Sequence, residues 1–206
     1  MDDQWICFGE AEDIVCLFVP DPATIRSKHL SGDDGAVPYW AQTWPASLGL
    51  HRFLAAHPGL IRGKTVIELA AGLGLPSLYA ARYAKTILCS DYAPGAVDYC
   101  RRSAAKAGLL NFNTALLDWN ELPADLAADV VLLSDVNYDP VAFDRLSIVL
   151  NRFLNAGTTI LLSTPQRLMA KPFIAQWLPC CAKQEEYCVT LNGTTSAVSV
   201  FVLSGS

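Results

Sequence analysis

Along most of the chain, short apolar runs alternate with stretches whose apolar residues recur at helical spacing. The runs at 65–69, 86–91, 114–118, 129–135 and 158–164 read as strands buried on both faces. Between them, residues 76–84, 95–107 and 141–154 carry helical periodicity, and 119–128 holds a loop or a short helix. Such alternation predicts an α/β fold with a parallel sheet covered on both faces and right-handed crossovers. Two last β runs, 182–191 and 197–203, are joined through Asn192-Gly193, a pair suited to a tight hairpin turn, and predict an antiparallel pair at the sheet edge. Upstream, residues 4–20 read as a hairpin around an acidic turn, and 21–38 as a loop rich in proline, glycine and aspartate. Residues 45–56 follow as a helix with Leu48, Phe53 and Leu54 on its buried side.

Composition narrows the class. A chain of 206 residues, 52% hydrophobic and 17% charged, has the material for one well-buried domain: a hairpin and loop over 1–38 and a ligand-binding core over 39–206. The net charge of −5, with Lys and Arg scattered, gives no basic stripe, so direct nucleic-acid contact is not expected. No apolar run approaches the ~20 residues of a membrane span. Seven cysteines without C-x-x-C spacing and only three histidines predict no metal site. Most of the thiols are expected as small core residues in a reducing cytoplasm.

The candidate chemistry starts at residues 65–78, TVIELAAGLGLPSL, where a strand carrying Glu68 opens into a glycine turn. Pro76 suits the first turn of the following helix, and Gly72 and Gly74 let backbone approach a ligand with no Cβ in the way. A dinucleotide fingerprint has a third glycine where this chain has Ser77, and Glu68 would repel a pyrophosphate. The same carboxylate could pair with an ammonium group, which points to an amino-acid-bearing nucleotide such as S-adenosylmethionine. The plainer reading is that the two glycines only make a tight strand-to-helix connection.

In a doubly wound sheet, ligands bind beyond the carboxyl ends of the strands. The chain places Glu68, Asp91-Tyr92, Asp118-Trp119 and Ser134-Asp135 there, and carboxylates at a buried rim cost free energy unless paired. Asp91 follows Gly72 by nineteen residues, near the offset at which an acidic residue accepts ribose hydroxyls, though it could also cap a helix starting near Pro94. Asp118-Trp119 offers a carboxylate for an adenine amine and an indole for its face, or a core tryptophan beside a surface aspartate. Asp135-Val136-Asn137-Tyr138 sets a carboxylate beside an aromatic ring, a receptor for an amine. Asp139 before Pro140 is the better helix cap, which leaves Asp135 free.

ELAAGLGLPS, SDY, LLDW and SDVNY, in that order and spacing, resemble the seven-strand S-adenosylmethionine-dependent methyltransferases. More narrowly they resemble lysine methyltransferase family 16, marked by a D-x-x-Y motif after strand four. The resemblance runs from about Tyr39 onward and implies a Rossmann-like sheet of six parallel strands and an antiparallel seventh. It implies a cofactor site of Trp44, Glu68, Gly72, Leu73, Gly74, Asp91, Tyr92, Asp118, Trp119 and Ser134. In that site Glu68 and the glycines meet the methionine part, Asp91 the ribose, and Asp118 with Trp119 the adenine. Asp135 and Tyr138 match the D-x-x-Y pair, and the sequence departs from the pattern at Ala70, where many members have glycine.

The implied activity is methyl transfer to a nitrogen nucleophile, first of all the side-chain amine of a lysine in a partner protein. Asp135 would hold the amine and Tyr138 would shape the aperture; an activated sulfonium needs alignment more than a strong base. Two alternatives stand beside it: methylation of a small amine or pyridine-type nitrogen, and a non-catalytic S-adenosylmethionine-binding module. An open rim would mark a protein acceptor and a closed pocket a metabolite. Oligomeric state is open, with a monomer favoured.

Overall fold

The computed structural model describes residues 3–21 and 38–205, so nearly all of the expected 21–38 loop lies outside the described residues. The N-terminal hairpin is present: β1 (Gln4–Phe8) pairs antiparallel with β2 (Val15–Val19). Its register sets Cys7 opposite Cys16, and the two form a disulfide. That corrects the expectation of mostly core thiols. Cys89 and Cys100 are the buried free thiols, whereas Cys180 and Cys181 are half-buried and Cys188 is exposed.

The main sheet contains β3 (Thr65–Glu68), β4 (Thr86–Asp91), β5 (Phe112–Leu116), β6 (Val130–Ser134), β7 (Thr159–Pro165), β8 (Cys181–Leu191) and β9 (Thr194–Leu203). Its order is β5-β4-β3-β6-β7-β9-β8. β3 to β7 are parallel, and β9 runs antiparallel to both β7 and β8. The expected terminal hairpin therefore turns its second strand inward, which leaves six parallel strands and one antiparallel. The order reverses at β3, with β4 on one side and β6 on the other, and the crevice beyond that switch point is where this architecture binds ligands.

Successive side chains of a strand point to opposite faces, so a strand buried on both sides feeds two cores. Val66, Val130, Leu132 and Leu161 join one core, while Ile67, Val131, Leu133 and Leu162 join the other. The first core is covered by α1 (Pro45–Ala56), α2 (Leu75–Ala80) and α3 (Pro94–Lys106), through residues such as Phe53, Tyr79 and Cys100. The second is covered by α4 (Phe143–Asn155) and α5 (Lys171–Trp177). On α4, Leu146, Val149, Leu150 and Phe153 form one buried stripe, each contributing about 1.5–3 kcal/mol on transfer from water.

α2 ends at Ala80, earlier than the helical pattern suggests, and α5 was not visible as a separate helix. The hairpin lies against the helical layer: the Phe18 N–H donates to Ser103 Oγ at 2.9 Å, and buried His51 holds a contact of 2.8 Å with the Asp13 carbonyl. Desolvation lowers the His51 pKa, in keeping with a structural ring. No helix among the described residues is long and apolar enough to cross a membrane.

Candidate functional site

The glycine turn after β3 bends through left-handed backbone at Ala70 (φ +52°), Gly72 (φ +56°) and Gly74 (φ +70°). An alanine there costs about 1–2 kcal/mol, so the departure at Ala70 is accommodated as strain. Gly74 has a second reason to be glycine: a Cβ would lie 2.8 Å from Cys100 Sγ and 2.9 Å from Cys89 Sγ. The turn is fastened from below and from the side. Ala71 N–H donates to the Ser90 carbonyl at 2.9 Å, and Gly72 N–H donates to Asp91 Oδ2 at 2.9 Å.

Asp91, only 4% exposed at the tip of β4, also accepts the N–H of Ala93 on Oδ1 at 2.9 Å. It therefore serves in part as the helix cap that its position allowed, yet it still lines the cavity. Burial raises its pKa, and the backbone donors pull the other way.

Glu68 departs from expectation. It is 0% exposed, lies beneath the turn and does not line the cavity, so its carboxylate supports the turn. Its Oε2 accepts Ser77 N–H at 3.0 Å, and Oε1 has no hydrogen-bond partner. Burial, partly opposed by hydrogen bonds from Ser77, pushes its pKa from 4.5 up to about 8. A carboxyl with a raised folded pKa contributes stability that is full below pH 4.5 and lost as the pH rises through about 8. Glu68→Gln keeps an acceptor for Ser77 and removes the titration. In thermal melts the variant should match the parent near pH 4.5, gain on it steadily as the pH rises, and exceed it most above pH 8, by about 5 °C or more.

The remaining expected residues converge on one cavity of about 410 Å³: Trp44, Gly72, Leu73, Gly74, Asp91, Tyr92, Asp118, Trp119, Ser134, Asp135 and Tyr138 all line it. Asp118 has a second task there, since its Oδ1 accepts the N–H of Asn120 at 2.8 Å and caps the turn Trp119–Glu121. Asp139 caps the next turn, accepting Val141 N–H at 3.0 Å, as its position before Pro140 suggested.

Asp135 leaves the cap to Asp139, as expected, and its carboxylate is held instead by an ion pair that the sequence did not reveal. Arg167 grips its carboxylate with both terminal nitrogens, Nη1 on Oδ1 and Nη2 on Oδ2, the second at 3.0 Å. The Asp135 backbone is left-handed (φ +58°) and its N–H donates to the Ser163 carbonyl at 3.0 Å, so the side chain is turned to the cavity by strain held in place by the sheet. At the mouth the Tyr39 ring lies 6.1 Å from Trp44 and 5.6 Å from Tyr138, and the Trp44 indole N–H donates to the Tyr39 carbonyl at 2.8 Å. Burial raises the Tyr138 pKa, with smaller contributions from Tyr92 and Tyr39.

Sequence reasoning missed Trp40, Thr43, Arg167 and Met169 as cavity-lining residues. The aromatic run starting at Tyr39 was a usable signal for Trp40, whose ring fills the space a Cβ on Gly95 would need. Thr43 presents a buried hydroxyl with no partner. Together, a turn without Cβ atoms, buried acceptors on Asp91, an indole and an orphaned hydroxyl fit an adenosine bearing an amino-acid tail. The cavity is also of ordinary ligand-binding size.

The family described as lysine methyltransferase matches residues 32–177. The chain belongs to this family. Its relatives include the histone-arginine methyltransferase METTL23 of Xenopus laevis, 32% identical over 56% of this chain and 52% of that protein. Another is the electron transfer flavoprotein beta subunit lysine methyltransferase of Mus musculus, 34% identical over 63% of this chain and 51% of that protein. The chain spans about half the length of the curated relatives it matches. Among solved structures, the T. thermophilus 16S rRNA methyltransferase RsmC in complex with AdoMet and guanosine superposes with a TM-score of 0.65 or better, at 0.67, with 15% identity over 98% of this chain and 50% of that one. The N-methyltransferase NodS of Bradyrhizobium japonicum superposes at 0.58, with 9% identity over 75% of this chain and 94% of that one. These likenesses show the Rossmann-like methyltransferase fold. The lysine methyltransferase family uses S-adenosylmethionine, and in this member the glycine turn, Asp91, Thr43 and Trp119 are the residues suited to hold it.

Proposed function

We propose that this lysine methyltransferase family member transfers a methyl group to the side-chain amine of a lysine in a partner protein. The observation that carries the reading is the mouth of the cavity, where a carboxylate and an aromatic ring stand at an open apolar rim. Tyr39, Tyr92 and Met169, all lining the cavity, are 66%, 69% and 53% exposed. An exposed apolar rim of this kind suits a macromolecular surface better than a metabolite, which would be enclosed. The relatives named above as acting on histones and on the electron transfer flavoprotein beta subunit agree with a protein acceptor.

S-adenosylmethionine supplies an electrophilic methyl group when bound. The chain contributes alignment: Asp91 and the glycine turn fix the nucleoside end, Asp135 holds the acceptor nitrogen, and Tyr39, Trp44 and Tyr138 narrow the aperture and exclude water. A second reading, an arginine acceptor, is favoured by one observation, the guanidinium of Arg167 already seated on Asp135. Incubation with tritiated S-adenosylmethionine and a cell extract, followed by mass spectrometry of labelled protein, decides between them. Methyl on a lysine is the expected result; label confined to small molecules would overturn the reading.

A further inference from the structure

Arg167 is the only cationic side chain among the described residues lining the cavity. It sits just after β7, half-buried, with its fork on Asp135. A bidentate fork uses one lone pair on each carboxylate oxygen, fixes the carboxylate plane and leaves the other lone pairs open. We propose that Arg167 is a positioning residue that balances the charge of Asp135, so that an incoming lysine amine is held in its neutral, nucleophilic form. The inference rests on the lysine reading above.

A bare carboxylate in this cavity would favour the ammonium form of the acceptor, as opposite charges within ~4–6 Å do. An ammonium has no lone pair to give. With Arg167 in place the pair carries no net charge, so the ammonium form gains little, while a neutral amine can still donate an N–H to an open lone pair of Asp135. In the transfer, the nitrogen lone pair forms the new N–C bond as the bond from the methyl carbon to sulfur breaks, and that electron pair remains on sulfur. The alkylated nitrogen then releases its proton to water.

No other group in the cavity can substitute for Arg167. The remaining ionisable residues lining it are Tyr39, Asp91, Tyr92, Asp118 and Tyr138, none of which is a cation. Asp91 is committed to two backbone donors, Asp118 caps its turn, and burial pushes the Tyr138 phenol upward and away from neutral pH.

The test compares the wild type with Arg167→Gln and Arg167→Lys, using the protein acceptor labelled in the extract, across about pH 6.5 to 10. The rate–pH profile of the glutamine variant should move alkaline by about one pH unit. It should be about tenfold slower near pH 7.5 and recover toward the wild type near pH 10. The lysine variant keeps the charge without the fork and should stay on the wild-type profile within about threefold. Calorimetric affinity for S-adenosylhomocysteine should be equal in all three. A glutamine profile of unchanged shape and lower height, or a loss of S-adenosylhomocysteine affinity in that variant, would overturn the inference and leave the lysine reading standing. Wild-type label on a residue other than lysine would overturn that reading and the inference with it.

Discussion

Asp135→Ala is expected to slow methyl transfer by about 10²–10³-fold while S-adenosylmethionine affinity, read by calorimetry, stays within about threefold. The two readouts separate because Asp135 belongs to the β6 end of the cavity, whereas the turn that holds the nucleoside is fixed by Asp91 and by the backbone around Gly72. Removing the carboxylate strands the Arg167 guanidinium at the point where the acceptor arrives, so the loss combines a missing receptor with an uncompensated positive charge. The fold should survive. Asp135 N–H keeps its bond to the Ser163 carbonyl, and Arg167 is exposed enough to reach water. Alanine tolerates left-handed backbone less well than aspartate, so a loss of about 1 kcal/mol, a few degrees in melting temperature, is expected. Asp135→Asn avoids that strain, keeps the shape and removes only the charge; it should lose most of the same activity. Full activity in either variant would remove Asp135 from the reaction.

Much of this site was legible because strand ends in a parallel sheet are a fixed address. Val66, Val130 and Leu161 on one core and Ile67, Val131 and Leu162 on the other give the uniform apolar runs that mark strands buried on both faces. Once those runs are placed, the residues closing them fall at the same rim. What the runs do not reveal is which way a closing side chain turns. Glu68 points under the turn to Ser77, and Asp91 points into the cavity, yet both are acidic residues near strand ends. The difference follows from where each residue falls on the pleat relative to the end of its strand, which residue type does not reveal.

Arg167 was invisible for another reason. It pairs with Asp135 across 32 positions of sequence, in a turn with no periodicity and no motif. α5 is seven residues long and carries Phe173 and Trp177 as its buried residues, too few for a helical stripe. The Cys7–Cys16 disulfide, by contrast, was nearly legible. A hairpin centred on the acidic turn, with Gln4 opposite Val19, sets Cys7 directly opposite Cys16. The hairpin reading over 4–20 left the register open by one residue, and that residue decides whether Cys7 faces Cys16 or Leu17.

Asp91→Ala should weaken S-adenosylmethionine binding by about 100-fold and lower the melting temperature of the free protein by about 5–15 °C. Both effects follow from one carboxylate that holds backbone and lines the cavity at once. Oδ2 satisfies Gly72 N–H and Oδ1 satisfies Ala93 N–H, each at 2.9 Å, and a buried donor left without its acceptor costs about 1–3 kcal/mol. Two such losses give the fall in melting temperature at about 2–4 °C per kcal/mol for a chain of this size. The affinity loss has a separate origin: ribose hydroxyls donating to a carboxylate are worth about 1.5–3 kcal/mol each. Asp91→Asn discriminates between the two roles. It retains one acceptor but turns an amide N–H₂ toward the second backbone donor, so it should recover part of the stability and little of the affinity. Melts with and without saturating S-adenosylhomocysteine make the comparison directly, because a ligand raises the melting temperature only as far as its affinity for the folded state allows. If Asp91→Ala melted early yet bound the nucleoside as tightly as the parent, the carboxylate would be a helix cap and nothing more, and the ribose contact would have to be sought on Tyr92 or Trp119.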